Sequence, residues 1–306
     1  MDIAADSPLP AALDSYFSGR VMAPSSRQQM EIAVRSFWWF SAAYYGRPPI
    51  VADLTRDGVH AWLDALAADG RKNATINSKR SAILALWNFC ADEIELRPPR
   101  RVKRWKRAAD EPVGWTAEQF ASLLQATDRM RGTWYGVPAS LCWRFALLVC
   151  YDTACRFGEL WHARAEAVDL DSGRWTVPAE HTKTGQGRTY ALHPDTCAAI
   201  AATLDAPRVR LWPFPCRRRQ VWVHFDRLLC LADLPRGRKR KWHCLRRTAE
   251  SLAAKQRGTA WAAEAVGHTE QVAKRHYLVP DLYEAPRLID ALPRPDPAPA
   301  LSIFAG

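Results

Sequence analysis

The sequence predicts a mainly α chain with a small antiparallel β-sheet, built as an all-helical N-terminal domain followed by a larger mixed α+β domain. Three observations carry this. Apolar residues recur at helical steps through residues 1–99 with no strand candidate between them. Pro98, Pro99 and a cationic run then punctuate the chain. Beyond Tyr151 the period changes, and Val168–Leu170 and Trp175–Val177 flank the turn residues Asp171, Ser172 and Gly173 as in a hairpin. A length of 306 residues suits two domains, at roughly 150 residues each.

Ser25 or Ser26 is placed to cap a helix running to about Tyr45, with Met30, Val34, Phe37, Trp38, Ser41 and Tyr44 on one face. Thr55 reads as the N-cap of a second helix whose stripe is Val59, Trp62, Leu63 and Leu66, and Gly70 is placed to end it. A third helix, from about Ala74 to Glu95, presents Ile76, Arg80, Ile83, Leu84, Trp87 and Cys90 before the prolines stop it. Arg100–Arg107 places six cations in eight residues and is a linker by position. It is either a solubilising spacer or a segment that tracks phosphates through Arg100, Arg101, Lys103, Arg104, Lys106 and Arg107.

Thr116 and Gln119 form a capping box that opens the second domain. Helices are expected at about Ala117–Ala126 and Pro138–Tyr151, then the hairpin, and a third strand near Tyr190–Leu192. Between the strands, Lys183 projects from a tip with two glycines. Further helices are expected near Asp195–Leu204, Gln220–Ala232, Leu245–Lys255, Trp261–Val266 and Leu282–Leu292, followed by a proline-rich, loosely ordered tail after Pro293.

Lys plus Arg number 43 against 32 Asp plus Glu, a net charge of +11 that points toward polyanions. The excess is local. Met1–Pro99 holds 10 basic and 11 acidic residues, Arg100–Glu111 holds 6 and 2, and the remainder holds 27 and 19. A hydrophobic fraction of 48% and a charged fraction of 25% exclude wholesale disorder. No run approaches the ~18 apolar residues of a spanning helix, and Met1–Pro10 lacks the features of a signal peptide, so a cytoplasmic location without membrane contact is expected. Eight cysteines without a C-x-x-C pair indicate neither a zinc site nor a disulfide framework. The 14 tryptophans are many for this length, but an aromatic at helical spacing reads as core more often than as a base-stacking platform, and they point to no function.

Several polar residues of the second domain stand out, although each alone fits an ordinary structural role. Arg156, in T-A-C-R-F-G-E-L, suits a helix cap or an ion pair with Glu159. Lys183 suits solvent, His243 and Arg246 in W-H-C-L-R-R-T suit a surface pair one helical turn apart, and His268 and Tyr277 suit a helix end and a half-buried aromatic. Together, the order Arg, Lys, His-x-x-Arg, Gly-His, Tyr at these spacings resembles the tyrosine recombinase (phage integrase) family.

The resemblance covers nearly the whole chain and implies a SAM-like helical core-binding domain over 1–99, a basic linker over 100–111, a catalytic domain over 112–292 and a flexible tail over 293–306. It implies the two-domain, Xer-like or Cre-like form, with domains that clamp duplex DNA and a tetramer on paired sites that works through a Holliday junction. The last helix would dock on a neighbouring protomer or pack in cis. Arg156 and Arg246 would clamp the scissile phosphate, Lys183 would protonate the departing 5′ hydroxyl, His243 and His268 would move protons, and Tyr277 would be the nucleophile.

General chemistry supports these roles. Guanidinium forks match phosphate. A tyrosine, with an ordinary pKa of about 10, needs cations or a base beside it. A 3′-phosphotyrosyl link stores the bond energy, so neither metal nor nucleotide cofactor is required. Arg247 and Val266 depart from residues usual in the family, outside the six site positions. A catalytically silent DNA-binding regulator and a type IB topoisomerase-like relaxing enzyme are the competing readings.

Overall fold

The computed structural model describes residues 3–106, 111–204, 209–215 and 217–284. It divides into two compact units, Met1–Ala109 and Asp110–Gly306.

The first unit is all helical. α1 (Leu9–Ser18) precedes the first helix that periodicity predicts; it starts behind Pro8 and carries Pro10 in its first turn, where a fixed φ and a missing N–H cost nothing. Its Leu9, Ala12, Leu13 and Phe17 are buried. α2 (Pro24–Tyr45) also opens on proline rather than on a serine cap, and Gly46 ends it at φ +66°. α3 (Arg56–Ala68) begins as expected, Thr55 accepting the Gly58 N–H at 3.1 Å. α4 (Asn73–Glu93) completes the bundle, whose core centres on Phe37, Trp62, Ile83, Leu86 and Trp87.

The basic segment behaves differently from a free connector. Val102 is buried and Trp105 is half-buried against the helices, while Arg100, Arg101, Lys103, Arg104 and Lys106 face outward. Asn77 fixes Trp105 at both backbone groups, donating from Nδ2 at 2.8 Å and accepting at Oδ1 at 3.0 Å. Arg80, which the sequence places on an apolar face, donates to the Val102 carbonyl at 2.8 Å, and Asn73 does so to that of Lys106 at 2.8 Å. Arg100–Lys106 is thus fastened to the first unit, and Arg107 lies outside the described residues.

The second unit opens with α5 (Ala117–Ala126) behind the expected Thr116–Gln119 capping box. A hairpin that the sequence reading lacks follows, β1 (Thr133–Trp134) with β2 (Val137–Pro138), turning through Tyr135 and Gly136, both at positive φ. α6 (Ala139–Thr153) crosses the core and leads into the short α7 (Phe157–His162). β3 (Val168–Asp169), β4 (Arg174–Val177) and β5 (Arg188–Ala191) form the antiparallel sheet in sequence order, with Trp175 opposite Tyr190 and Val177 opposite Arg188.

Helices then resume as α8 (Pro194–Ala201), α9 (Val221–Leu231), α10 (Trp242–Arg257), α11 (Thr259–Val266), α12 (Glu270–His276) and α13 (Pro280–Tyr283). α10 starts three residues before its predicted position, so His243 and Arg246 occupy its first two turns. α12 is unpredicted. Of the predicted Leu282–Leu292 helix, residues from 285 on lie outside the described residues, as does the tail.

Trp115, Trp143, Trp175, Trp212 and Trp242 are fully buried in this unit, and Trp143, Trp212 and Trp242 meet their aromatic neighbours edge-on or tilted. Among the described residues no helix is long and apolar enough to cross a membrane.

Candidate active site

The turn between α6 and α7 begins the site. Ala154 adopts a left-handed conformation, φ +47°, which costs a residue with a Cβ roughly 1–2 kcal/mol. This turn aims its carbonyl at Arg246, whose Nη1 donates to it. Two residues on, Arg156 stands at the N-cap of α7, where Glu159 accepts its backbone N–H at 2.7 Å and its Nη1 at 3.2 Å. Glu159 is 2% exposed and also accepts the Tyr190 hydroxyl at 3.2 Å. Burial, then the Glu159 charge, push the Tyr190 phenol well above its ordinary pKa, so it stays a donor. The ion pair that Arg156 suggested in isolation therefore exists, and it orients the guanidinium.

α10 supplies the next two residues. Arg246 is fully buried, and among the described residues its Nε and Nη2 have no hydrogen-bond partner. A cation buried this way is costly unless an anion completes it. His243, one turn earlier, is exposed. Packing around its ring, then the charges of Arg246, Arg247, Arg156 and Lys183, hold its pKa below the ordinary value, so the neutral form is favoured.

The Gly-His turn and α12 bring in the remaining pair. His268 is 7% exposed at its side chain, and its Nε2 lies 3.1 Å from Oε1 of the fully buried Glu250. Its ring stacks on Tyr277 with centroids 4.8 Å apart and planes at 21°. The Arg246 guanidinium lies 4.9 Å from the centroid of the Tyr277 ring. Tyr277 follows α12, and α10 fastens that stretch, Arg247 donating to the His276 carbonyl at 2.9 Å and Ser251 accepting the Val279 N–H at 2.9 Å.

The structure thus brings Arg156, His243, Arg246, His268 and Tyr277 together. Lys183 stays exposed on the loop over 178–187 and is felt at His243 through its charge. That loop, Arg156, Glu159, Arg188 and Gly267 line a cleft of about 170 Å³. Sequence reasoning missed Glu250, Tyr190 and Arg188, which act through contacts distant in sequence. Among the described residues no group of three or more His, Cys, Asp or Glu side chains is placed to hold a metal ion.

The profile described as "Phage integrase family" matches residues 115–281, more than half of the chain. The chain belongs to the phage integrase family. It is accordingly a tyrosine-type, site-specific recombinase that breaks and rejoins DNA strands.

Solved structures share the fold at low identity. The Tn1549 transposon integrase in complex with a circular intermediate DNA is similar over 93% of this chain and 98% of its own, at 14% identity and a TM-score of 0.67. The XerH site-specific recombinase bound to palindromic difH substrate is similar over 85% and 78%, at 16% identity and a TM-score of 0.64. A lambda integrase tetramer bound to a Holliday junction is similar over 88% and 76%, at 18% identity and a TM-score of 0.59. No curated protein sequence matches the chain.

Proposed function

We propose that Tyr277 attacks the scissile phosphate of a duplex held at the Arg156–Arg246 site, forming a 3′-phosphotyrosyl link and releasing a 5′ hydroxyl. The observation that carries this reading is the packing of Tyr277 between the His268 ring and a buried arginine with two unpartnered nitrogens. A phosphate oxygen is the anion that would satisfy those nitrogens, and it would place phosphorus beside the phenol.

Arg246 and Arg156 neutralise the equatorial oxygens as charge builds. His268, with Nε2 hydrogen-bonded to Glu250 at 3.2 Å, holds the phenol in place by stacking. His243, held neutral, accepts the Tyr277 proton. Lys183 reaches in from its loop and protonates the leaving 5′ oxygen. In the reverse step a 5′ hydroxyl attacks the phosphotyrosine, so bond energy is conserved. Each protomer supplies its own Tyr277 in this arrangement, since α12 is fastened to α10 of the same chain.

The outward cations of the segment over 100–106 contact phosphates of the bound duplex. Assembly as a tetramer on paired sites follows the form in which the lambda integrase is seen on a Holliday junction. Denaturing gels of the chain incubated with a nicked duplex test the chemistry: a retarded covalent species is expected from the parent and not from Tyr277→Phe, which should still bind the duplex. An adduct persisting in the variant would overturn the assignment. Relaxation of supercoils without site preference or strand exchange would favour the topoisomerase reading.

A further inference from the structure

We infer that Arg188 is a positioning residue that latches the Lys183 loop onto the turn carrying His268, holding the leaving-group acid in register with the nucleophile; this rests on the roles proposed above for Lys183 and Tyr277. Arg188 opens β5 opposite Val177, so it stands at the base of the loop over 178–187. Its guanidinium reaches away from the sheet to the last turn of α11, where Nη2 donates to the Glu264 carbonyl at 3.0 Å and Nη1 donates to that of Val266. Both carbonyls lie in the last turn of the helix, where the dipole favours a cation, and that of Glu264 also accepts the Gly267 N–H at 3.0 Å.

Gly267 follows at φ +84°, and a Cβ on it would run into the Arg188 guanidinium. Glycine is required here for its backbone, and the guanidinium of Arg188 occupies the space beside it. The next residue is His268, stacked on Tyr277. On its other side the Arg188 guanidinium carbon lies 5.6 Å from the centroid of the Tyr190 ring, whose hydroxyl donates to the Glu159 that orients Arg156. One fork therefore ties the loop bearing Lys183 to the elements that carry His268, Tyr277 and Arg156.

A lysine has one compact charge and cannot bridge two carbonyls in the same fixed geometry. Without the fork, a loop with Gly185 and Gly187 leaves Lys183 sampling positions outside the ~2.6–3.2 Å at which proton transfer occurs. A simple helix cap would instead affect stability and leave the leaving-group step untouched.

The two roles separate on a duplex whose scissile 5′-bridging oxygen is replaced by sulfur. Tyr277 oxygen still bonds to phosphorus and the P–S bond breaks, but the group leaves as a thiolate and needs no proton. On the ordinary duplex, single-turnover cleavage should fall about 10²-fold or more in Lys183→Ala and about 10²-fold in Arg188→Gln, with duplex affinity unchanged. On the sulfur duplex both variants should return to within a few fold of the parent, and on the ordinary duplex the double variant should be no slower than Lys183→Ala alone. Gly267→Ala, which displaces the guanidinium from the opposite side, should follow Arg188→Gln, and thermal melts identify any variant that fails to fold.

Recovery of Lys183→Ala on the sulfur duplex without recovery of Arg188→Gln and Gly267→Ala would overturn the latch. Failure of Lys183→Ala to recover would overturn the acid role of Lys183 itself, and the latch with it.

Discussion

Arg246 makes the sharpest demand of any residue in the site, because a fully buried guanidinium with unpartnered nitrogens has meaning only if an anion arrives. Arg246→Lys keeps the charge and loses the fork, so strand cleavage should fall about 10²–10³-fold while the fold is retained. Single-turnover cleavage beside a thermal melt checks this. His243 gives a pH signature. Its folded pKa is depressed, so the unfolded chain binds that proton more readily. The associated stability is fully present above about pH 6.5 and is lost as pH falls through the folded value. His243→Gln lacks this dependence, so the melting-temperature advantage of the parent over the variant should shrink on going from about pH 8 to about pH 5. Of the six residues named from their order in the sequence, the fold brings Arg156, His243, Arg246, His268 and Tyr277 together, while Lys183 stays exposed on its loop. Glu250 was not legible, since an acid in the middle of an amphipathic helix reads as surface until His268 is folded against it, 18 residues away.

At the scale of elements, the basic segment is an outward row of cations on an inward pair of anchors, Val102 and Trp105. Neutralising Lys103, Arg104 and Lys106 should weaken binding to all duplex sequences alike and flatten the salt dependence by about 0.9 for each phosphate no longer neutralised. Asn77→Ala keeps every cation but removes both hydrogen bonds that hold Trp105, at a cost of about 1–3 kcal/mol in stability. Its duplex affinity should fall with the salt slope preserved. Titrations at several salt concentrations separate the two variants. The sequence showed the charge of this segment but not its attachment, because Asn77 and Arg80 meet Trp105 and Val102 only through the fold, 28 and 22 residues away. α12 was hidden for a related reason: Glu270, Lys274, Arg275 and His276 leave it little apolar period, and its place comes from Arg247 and Ser251 on α10. α1 was hidden by prolines that suit its first turn. The helices with strong apolar stripes, α3, α4 and α5, were read to within about two residues.

At the scale of the whole molecule, the division into a helical domain and a mixed domain was legible from the change of period and from the punctuation at Pro98–Arg107. The target sequence was not legible, since base readout depends on which side chains reach the grooves. The charge excess falls in the basic segment and the second domain, where the proposed phosphate contacts lie. Mass photometry with two copies of a cleavable site should show the tetramer, and a persistent single protomer on each duplex would remove it. The central claim is that Tyr277 becomes joined to DNA. The direct measurement is nuclease digestion of the covalent species trapped on a suicide duplex drawn from DNA flanking the gene, followed by fragmentation mass spectrometry of the peptide carrying both Tyr277 and Tyr283. A nucleotide mass on Tyr277 is the predicted result. Its appearance on Tyr283, or the absence of any adduct from a duplex that the chain demonstrably binds and nicks, would contradict it.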